Sequence, residues 1–238
     1  MVFVRSLVFA IIQIVLTVVF AIVGLLTFPL HPHRRYEIIT LWTRSVLWLA
    51  GRICGLRYRV QGREHIPTTP SVILCKHQSA WETLALQEIF PPQVWVVKRE
   101  LLYLPFFGWG LAMLSPIAID LGSGRQALEQ LVQQGRDRFA AGFWVVIFPE
   151  GTRVPPGEHR DYRPGGAWLA SRTGVPVVPV AHNAGTAWGK NAFLKYPGTI
   201  TVSIGPAIDP KGRKSEALIR EVEQWIEAEV ARLGSARA

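Results

Sequence analysis

From Leu7 to Leu26 the chain is an apolar run broken only by Gln13, Thr17 and Gly24. Twenty helical residues rise about 30 Å, the thickness of a bilayer's hydrocarbon layer. The pattern predicts a transmembrane helix over about 7–28. A cleaved signal peptide is the competing reading, since Arg5 supplies a short basic start. Such a peptide has an apolar stretch of only about 7–15 residues and then a small-residue cleavage site. Here Phe28-Pro29-Leu30-His31-Pro32-His33 follows instead, which favours an anchor, with a loop at His31–Arg35. A second stretch, Ile38–Leu49, holds Trp42 and Trp48 but also Thr40, Thr43, Arg44 and Ser45, with Glu37 just before it. It predicts an amphipathic helix over about 36–52, lying in the membrane interface or packed against the main domain. Residues 1–54 thus read as a membrane-attached unit and 55–238 as the domain that carries the chemistry.

Beyond residue 56 the periodicity changes. Short β-rich runs at Arg57–Val60, Ser71–Cys75, Val94–Val97, Pro116–Ile119, Trp144–Phe148, Val177–Ala181 and Thr199–Ile204 predict strands. Helical patterns at Ala80–Ile89, Arg125–Ala140, Gly166–Ser171 and Ser215–Leu233 fall among them. That alternation predicts an α/β fold, a central and largely parallel or mixed sheet flanked by helices. In the last helix Leu218, Val222, Trp225, Ile226, Val230 and Leu233 share a face, which marks it as a packing helix.

Composition then narrows the class. With 238 residues, 49% hydrophobic and 18% charged, the chain is neither disordered nor fibrous. Two cysteines, Cys54 and Cys75, lack the spacing of a zinc ribbon and are too few for a disulfide scaffold. Twenty-six Lys and Arg against seventeen Asp and Glu give a net charge of +9, which calls for an anionic partner. Arg34, Arg35, Arg44 and Arg52 follow the apolar run and only Arg5 precedes it, so the bulk of the chain is expected on the cytoplasmic side of an inner membrane. No nucleic-acid-binding module is present, and nucleic acid is not expected as a partner.

Two polar strings stand at strand ends. Lys76-His77-Gln78-Ser79-Ala80-Trp81-Glu82 follows the strand ending at Cys75. The spacing from His77 to Glu82 brings a carboxylate across a strand-to-helix turn to one ring nitrogen, leaving the other to take a proton from a hydroxyl. A simple surface pair has the same spacing, and this string alone does not decide. Phe148-Pro149-Glu150-Gly151-Thr152-Arg153 follows the buried strand Trp144–Phe148. Gly151 permits close backbone approach and its amide is a candidate anion donor, while Arg153 presents a planar fork suited to phosphate. Cys75 lies in the apolar strand and reads as an inert buried thiol; His182 reads as a satisfied strand-end histidine. His159, Arg160 and Arg163 sit in a charged loop, and the aromatics of Leu104–Gly110 read as core packing rather than as a membrane or acyl surface. The six histidines show no metal-ligand spacing, so no metal is expected.

In this order, the histidine motif, FPEGTR and Val175-Pro176-Val177-Val178-Pro179-Val180 resemble the glycerolipid acyltransferases, and most nearly the bacterial 1-acyl-glycerol-3-phosphate acyltransferase type. The resemblance covers roughly residues 55–210. It implies a membrane-bound O-acyltransferase that moves a fatty acyl group from acyl-CoA or acyl carrier protein to a lysophospholipid hydroxyl, with no cofactor. It implies His77 as general base and Glu82 as its partner. Glu150, Gly151, Thr152 and Arg153 become the substrate site, Arg153 on the glycerol phosphate, with Arg125 and Arg163 as further phosphate ligands. Pro116–Asp120 matches the family's second motif. Two positions depart from the pattern: Glu82 stands where Asp is usual, and Leu121 where Arg is common. Leu121 keeps open acylation of a different lysolipid headgroup. A non-catalytic lipid-binding module is the alternative from another class, though it would not need the His–carboxylate pair.

Overall fold

The computed structural model describes residues 1–120 and 124–237. Two long helices come first, α1 (Val2–Leu26) and α2 (Pro32–Cys54). They form an antiparallel pair, with the Cys54 thiol 3.9 Å from the Arg5 carbonyl at one end and Gly24 against Ile39 at the other. The loop expected at His31–Arg35 is instead the start of α2: Pro32 fits the first helical turn, where its missing N–H costs nothing, and the His31 ring accepts the His33 N–H. Gly55, at φ 71°, ends α2 in the left-handed conformation.

The helix α1 has two unlike faces. Val4, Val8, Ile11, Val15, Val19 and Ile22 are exposed, while Ser6, Phe9, Ala21 and Gly24 are buried against the rest of the chain. The Ser6 hydroxyl accepts the Lys195 backbone N–H at 3.0 Å, and Phe9 meets Trp188 edge-on at 5.4 Å between ring centres. Both ends of α1 therefore rest on the body of the protein. The helix is long and apolar enough to cross a membrane.

Among the described residues, seven strands form one sheet: β1 (Leu56–Gln61), β2 (Val72–Cys75), β3 (Gln93–Lys98), β4 (Ile117–Ile119), β5 (Trp144–Ile147), β6 (Val177–His182) and β7 (Gly198–Ile204). Their order is β1-β7-β6-β2-β5-β3-β4, and every pair is parallel except β6 with β7. Each expected strand is present within a residue or two. The central strands β2 and β5 are buried at every position, which is why their sequences VILC and WVVI do not alternate.

Helix α3 (Trp81–Ile89) packs with α2. Helices α5 (Arg125–Ala140), α6 (Gly165–Thr173) and α7 (Ser215–Leu233) pack together elsewhere, and Leu74 and Ile147 meet Gly166 of α6. A short helix not expected from sequence, α4 (Phe107–Met113), packs on α1. The parallel strands β2, β5, β3, β4 and β6 all end at one edge, and both polar strings lie there. In open α/β sheets that edge is where ligands bind.

Candidate active site

His77 follows β2 by two residues, and its ring is stacked on Phe148, which follows β5, at 3.9 Å between centres. Its Nδ1 donates to Glu82 Oε1 at 2.8 Å. The same oxygen accepts the backbone N–H groups of Gln78 and Ser79 at 2.9 and 2.8 Å. In return the Ser79 hydroxyl accepts the Trp81 N–H at 3.1 Å. Ser79 and Glu82 thus form a reciprocal cap on α3, and the carboxylate that caps the helix also orients the imidazole. Glu82 is 1% exposed. Burial pushes its carboxyl up, but the His182 ring, the His77 ring and the Ser79 amide outweigh that and hold it below the usual range. With Nδ1 committed as a donor, Nε2 is left as the basic nitrogen of a ring that lines the cavity described below.

Glu150 does not face a substrate. It is 0% exposed; Oε2 accepts the His77 backbone N–H at 2.6 Å and Oε1 lies 2.8 Å from Lys76 Nζ. Lys76 is also buried and pairs with Glu227 of α7 at 2.7 Å, and the Tyr162 hydroxyl donates to the same Glu227 oxygen. Burial raises the Glu150 carboxyl above its ordinary range, against the lowering effect of Lys76 and of the His77 N–H. Lys76, whose spacing carries no sequence signal, completes a buried ion network under the base.

The turn after β5 divides its residues. Gly151 has φ 69°, and its N–H donates to the Phe148 carbonyl at 3.0 Å, so it is not an anion donor. Its bare Cα gives room to Arg163, whose guanidinium carbon lies 3.2 Å from where a Cβ would stand. Arg153 and Arg163 both line the cavity, and Arg153 also donates to Asn191 Oδ1 at 3.3 Å. Thr152 is half-buried and outside the cavity wall. Arg125 is far from this role: its side chain is 92% exposed and pairs with Glu129, one helical turn along. Leu121 lies outside the described residues.

His182 is satisfied in the core, with Nε2 donating to the Lys76 carbonyl at 2.8 Å and Nδ1 accepting the Ala184 N–H at 3.2 Å. Burial pushes this ring below its ordinary value, against the opposing pull of the Glu82 carboxylate. Cys75 is fully buried and its thiol is pushed well up, as an inert core residue requires. His159 pairs with Glu223 on the surface at 2.9 Å, outside the cavity.

A cavity of about 770 Å³ opens at the strand ends, its polar rim formed by His77, Lys98, Arg153 and Arg163. The rest of its wall is mostly apolar, and part of it comes from Gln13, Thr17, Phe20 and Ala21 of α1. Phe106 and Phe107 also line it while remaining exposed, so the aromatics expected in the core are surface and cavity residues. They could not be placed from sequence because α4 is too short to show a period.

The comparisons agree with this geometry. Residues 57–183 match the Acyltransferase family. The chain is 48% identical over 210 residues to a 1-acyl-sn-glycerol-3-phosphate acyltransferase of Pseudomonas aeruginosa, spanning 86% of this chain and 82% of that one. It is 26% identical over 217 residues to the enzyme of the same name from Cocos nucifera, spanning 89% of this chain and 68% of that one. The crystal structure of the 1-acyl-sn-glycerophosphate (LPA) acyltransferase from Thermotoga maritima shares the fold, with a TM-score of 0.81 and 24% identity, over 99% of this chain and 97% of that one.

Proposed function

The chain belongs to the acyltransferase family, and on that premise we propose that it acylates the free hydroxyl of 1-acyl-glycerol-3-phosphate to give phosphatidic acid. The observation that carries the reading is the oriented base, His77 on Glu82, on the wall of one apolar cavity rimmed by Arg153, Arg163 and Lys98. It is an O-acyltransferase, with a lysophospholipid acceptor and an activated acyl donor.

His77 Nε2 removes the hydroxyl proton as the alkoxide oxygen bonds to the thioester carbonyl carbon. The resulting imidazolium is stabilised by the Glu82 carboxylate. The tetrahedral intermediate collapses, the C–S bond breaks, and the departing thiolate takes the proton from His77. A thiol leaves readily, so no acyl-enzyme is required, and the reading has both substrates bound together. These steps are written with the chain's own residues, and the reading includes no metal or cofactor. Arg153 and Arg163 hold the acceptor's phosphate by charge-assisted hydrogen bonds.

The protein is membrane-associated. In our reading residues 1–54 attach it to the cytoplasmic face of an inner membrane, through the apolar outer face of α1, and residues 55–238 carry the chemistry. Access to cytoplasmic acyl-CoA or acyl carrier protein as donor fits that side, as does the +9 charge.

The deciding experiment is acyl transfer by the purified protein in lipid or detergent, with lysophosphatidic acid compared against other lysolipids, both donors, and His77→Ala as control. Transfer to lysophosphatidic acid that disappears in the variant supports the whole reading. Transfer only to another lysolipid keeps the mechanism and changes the acceptor.

A further inference from the structure

The cavity at the strand ends has two arms, one on each face of the sheet. Side chains alternate along β3, so Gln93, Trp95 and Val97 point to one face and Val94, Val96 and Lys98 to the other. Gln93 meets Tyr36 of α2, which places Trp95 and Val97 on the α2–α3 face. In the opposite set, Val94 pairs in register with Val145, and Lys98 with Ile119. Two residues beyond Val145, Ile147 touches the α6 residue Gly166, so this set faces α5 and α6. Residues from both sets line the same cavity.

The arms differ in chemistry. The arm on the α2–α3 face carries polar side chains among its apolar ones, including Gln13, Thr17, Thr83 and Gln87. In the α5–α6 arm the wall is apolar beyond the rim, formed by Ile119, Leu128, Leu131, Ile147 and Gly165. The cations are distributed unequally too. Lys98 ends β3 on the α5–α6 side, and Arg163 lies two residues before Gly165, the first residue of α6.

We propose that the α5–α6 arm seats the acceptor's own acyl chain, leaving the other arm for the chain being transferred. This rests on the acceptor reading given above. In 1-acyl-glycerol-3-phosphate the hydroxyl lies between the phosphate and the ester carbons. A phosphate held by Arg163, together with Arg153, stands at the mouth of the α5–α6 arm, and the acceptor's chain has an apolar channel directly beside it. The transferred chain ends on the neighbouring carbon and needs a separate path, which the second arm supplies.

Gly165 is the place to test this. A Cβ there would sit 3.7 Å from Leu131 and 3.8 Å from Leu128, ordinary contact distances, so a larger side chain enters the arm without a backbone clash. The experiment measures kcat/KM of full-length protein for short- and long-chain lysophosphatidic acids, and separately for short- and long-chain acyl donors. Gly165→Leu is expected to lower the long-to-short acceptor ratio by about tenfold and to leave the donor ratio where it is. Leu128→Trp, on the facing wall, should do the same and covers the case that Gly165→Leu fails to fold. Thr17→Trp in the other arm should shift the donor ratio and not the acceptor ratio. An acceptor ratio that does not respond to filling the α5–α6 arm overturns the proposal, because the acceptor's chain then stays in the bilayer. A shift in the donor ratio instead overturns it by assigning this arm to the transferred chain. Wild-type protein that transfers to neutral lysolipids but not to lysophosphatidic acid overturns the acceptor reading itself, and the proposal with it.

Discussion

Glu150 accepts the backbone N–H of His77 at 2.6 Å from a position without solvent exposure. The end of the same turn returns the contact, since the Val154 N–H donates to the His77 carbonyl at 2.7 Å. The base is therefore clamped through its main chain by the segment expected to hold substrate, and Glu150 is a positioning residue. Both Glu150 oxygens face donors, His77 N–H and the Lys76 ammonium. An amide at this position presents a donor to one of them. Glu150→Gln should therefore lower kcat while acceptor KM stays nearly constant. It should also cost up to about 3 kcal/mol of stability, limited because Lys76 keeps Glu227. Steady-state kinetics and denaturant melts read both effects, and a raised KM at constant kcat would return Glu150 to the substrate site.

Glu82 combines a cap and a catalytic partner in one oxygen, and Glu82→Gln separates them. The amide oxygen still accepts the Gln78 and Ser79 N–H groups, so α3 keeps its start. The charge that stabilises the His77 imidazolium is gone, and kcat should fall by about 10²–10⁴. The pH dependence has a definite sign. Because the folded carboxyl lies below its ordinary range, the charged form contributes stability at pH values above that range. This contribution is lost as pH falls through the folded value. The Tm difference between wild type and Glu82→Gln should therefore shrink on acidification. A difference that stays constant down to strongly acidic pH would mean the carboxyl is not held low.

The strand positions were legible because buried β-rich runs alternate with helical periods, and the two motifs were legible as polar strings at strand ends. Which way Glu150 points was not. A carboxylate after an apolar strand serves a ligand or a buried cation equally well, and the cation, Lys76, lies seventy-four positions earlier in the chain. The cap formed by Ser79 and Glu82 was available in the S-x-x-E spacing. Gln13, Thr17 and Gly24 were visible as breaks in the apolar run, and all three lie on the stripe of α1 that faces the protein. They mark the inner side of that helix, which a reading of α1 as a plain anchor passes over.

Among the arginines, position separates a ligand from a surface charge. Arg163→Ala should raise KM for phosphorylated acceptors, by about tenfold for loss of a charge-assisted contact, with a smaller change in kcat. Arg153→Ala should act in the same direction. Arg125→Ala should leave acceptor KM unchanged and shift stability by less than about 0.5 kcal/mol, as befits an exposed pair with Glu129. Parallel acceptor titrations check all three, and a KM effect at Arg125 would require α5 to move toward the rim on binding.

The last prediction concerns α1 as part of the catalytic body. If it were only an anchor, any apolar helix of equal length would replace it. In the structure its inner stripe is specific: Ser6 receives the Lys195 N–H, Phe9 packs on Trp188, and Gln13, Thr17 and Ala21 wall the cavity. Lys195 is fixed there in turn, its ammonium donating to the Ala192 and Phe193 carbonyls with the Trp188 ring 5.0 Å away. Exchanging residues 2–26 for an unrelated transmembrane helix should preserve membrane attachment and abolish most transfer, even with a soluble donor. A second chimera should recover activity: the foreign helix carrying Ser6, Phe9, Gln13, Thr17, Ala21 and Gly24 on one face. Membrane flotation together with the transfer assay distinguishes the two roles. Full activity in the first chimera would reduce α1 to a tether, because the cavity would then be complete without that wall.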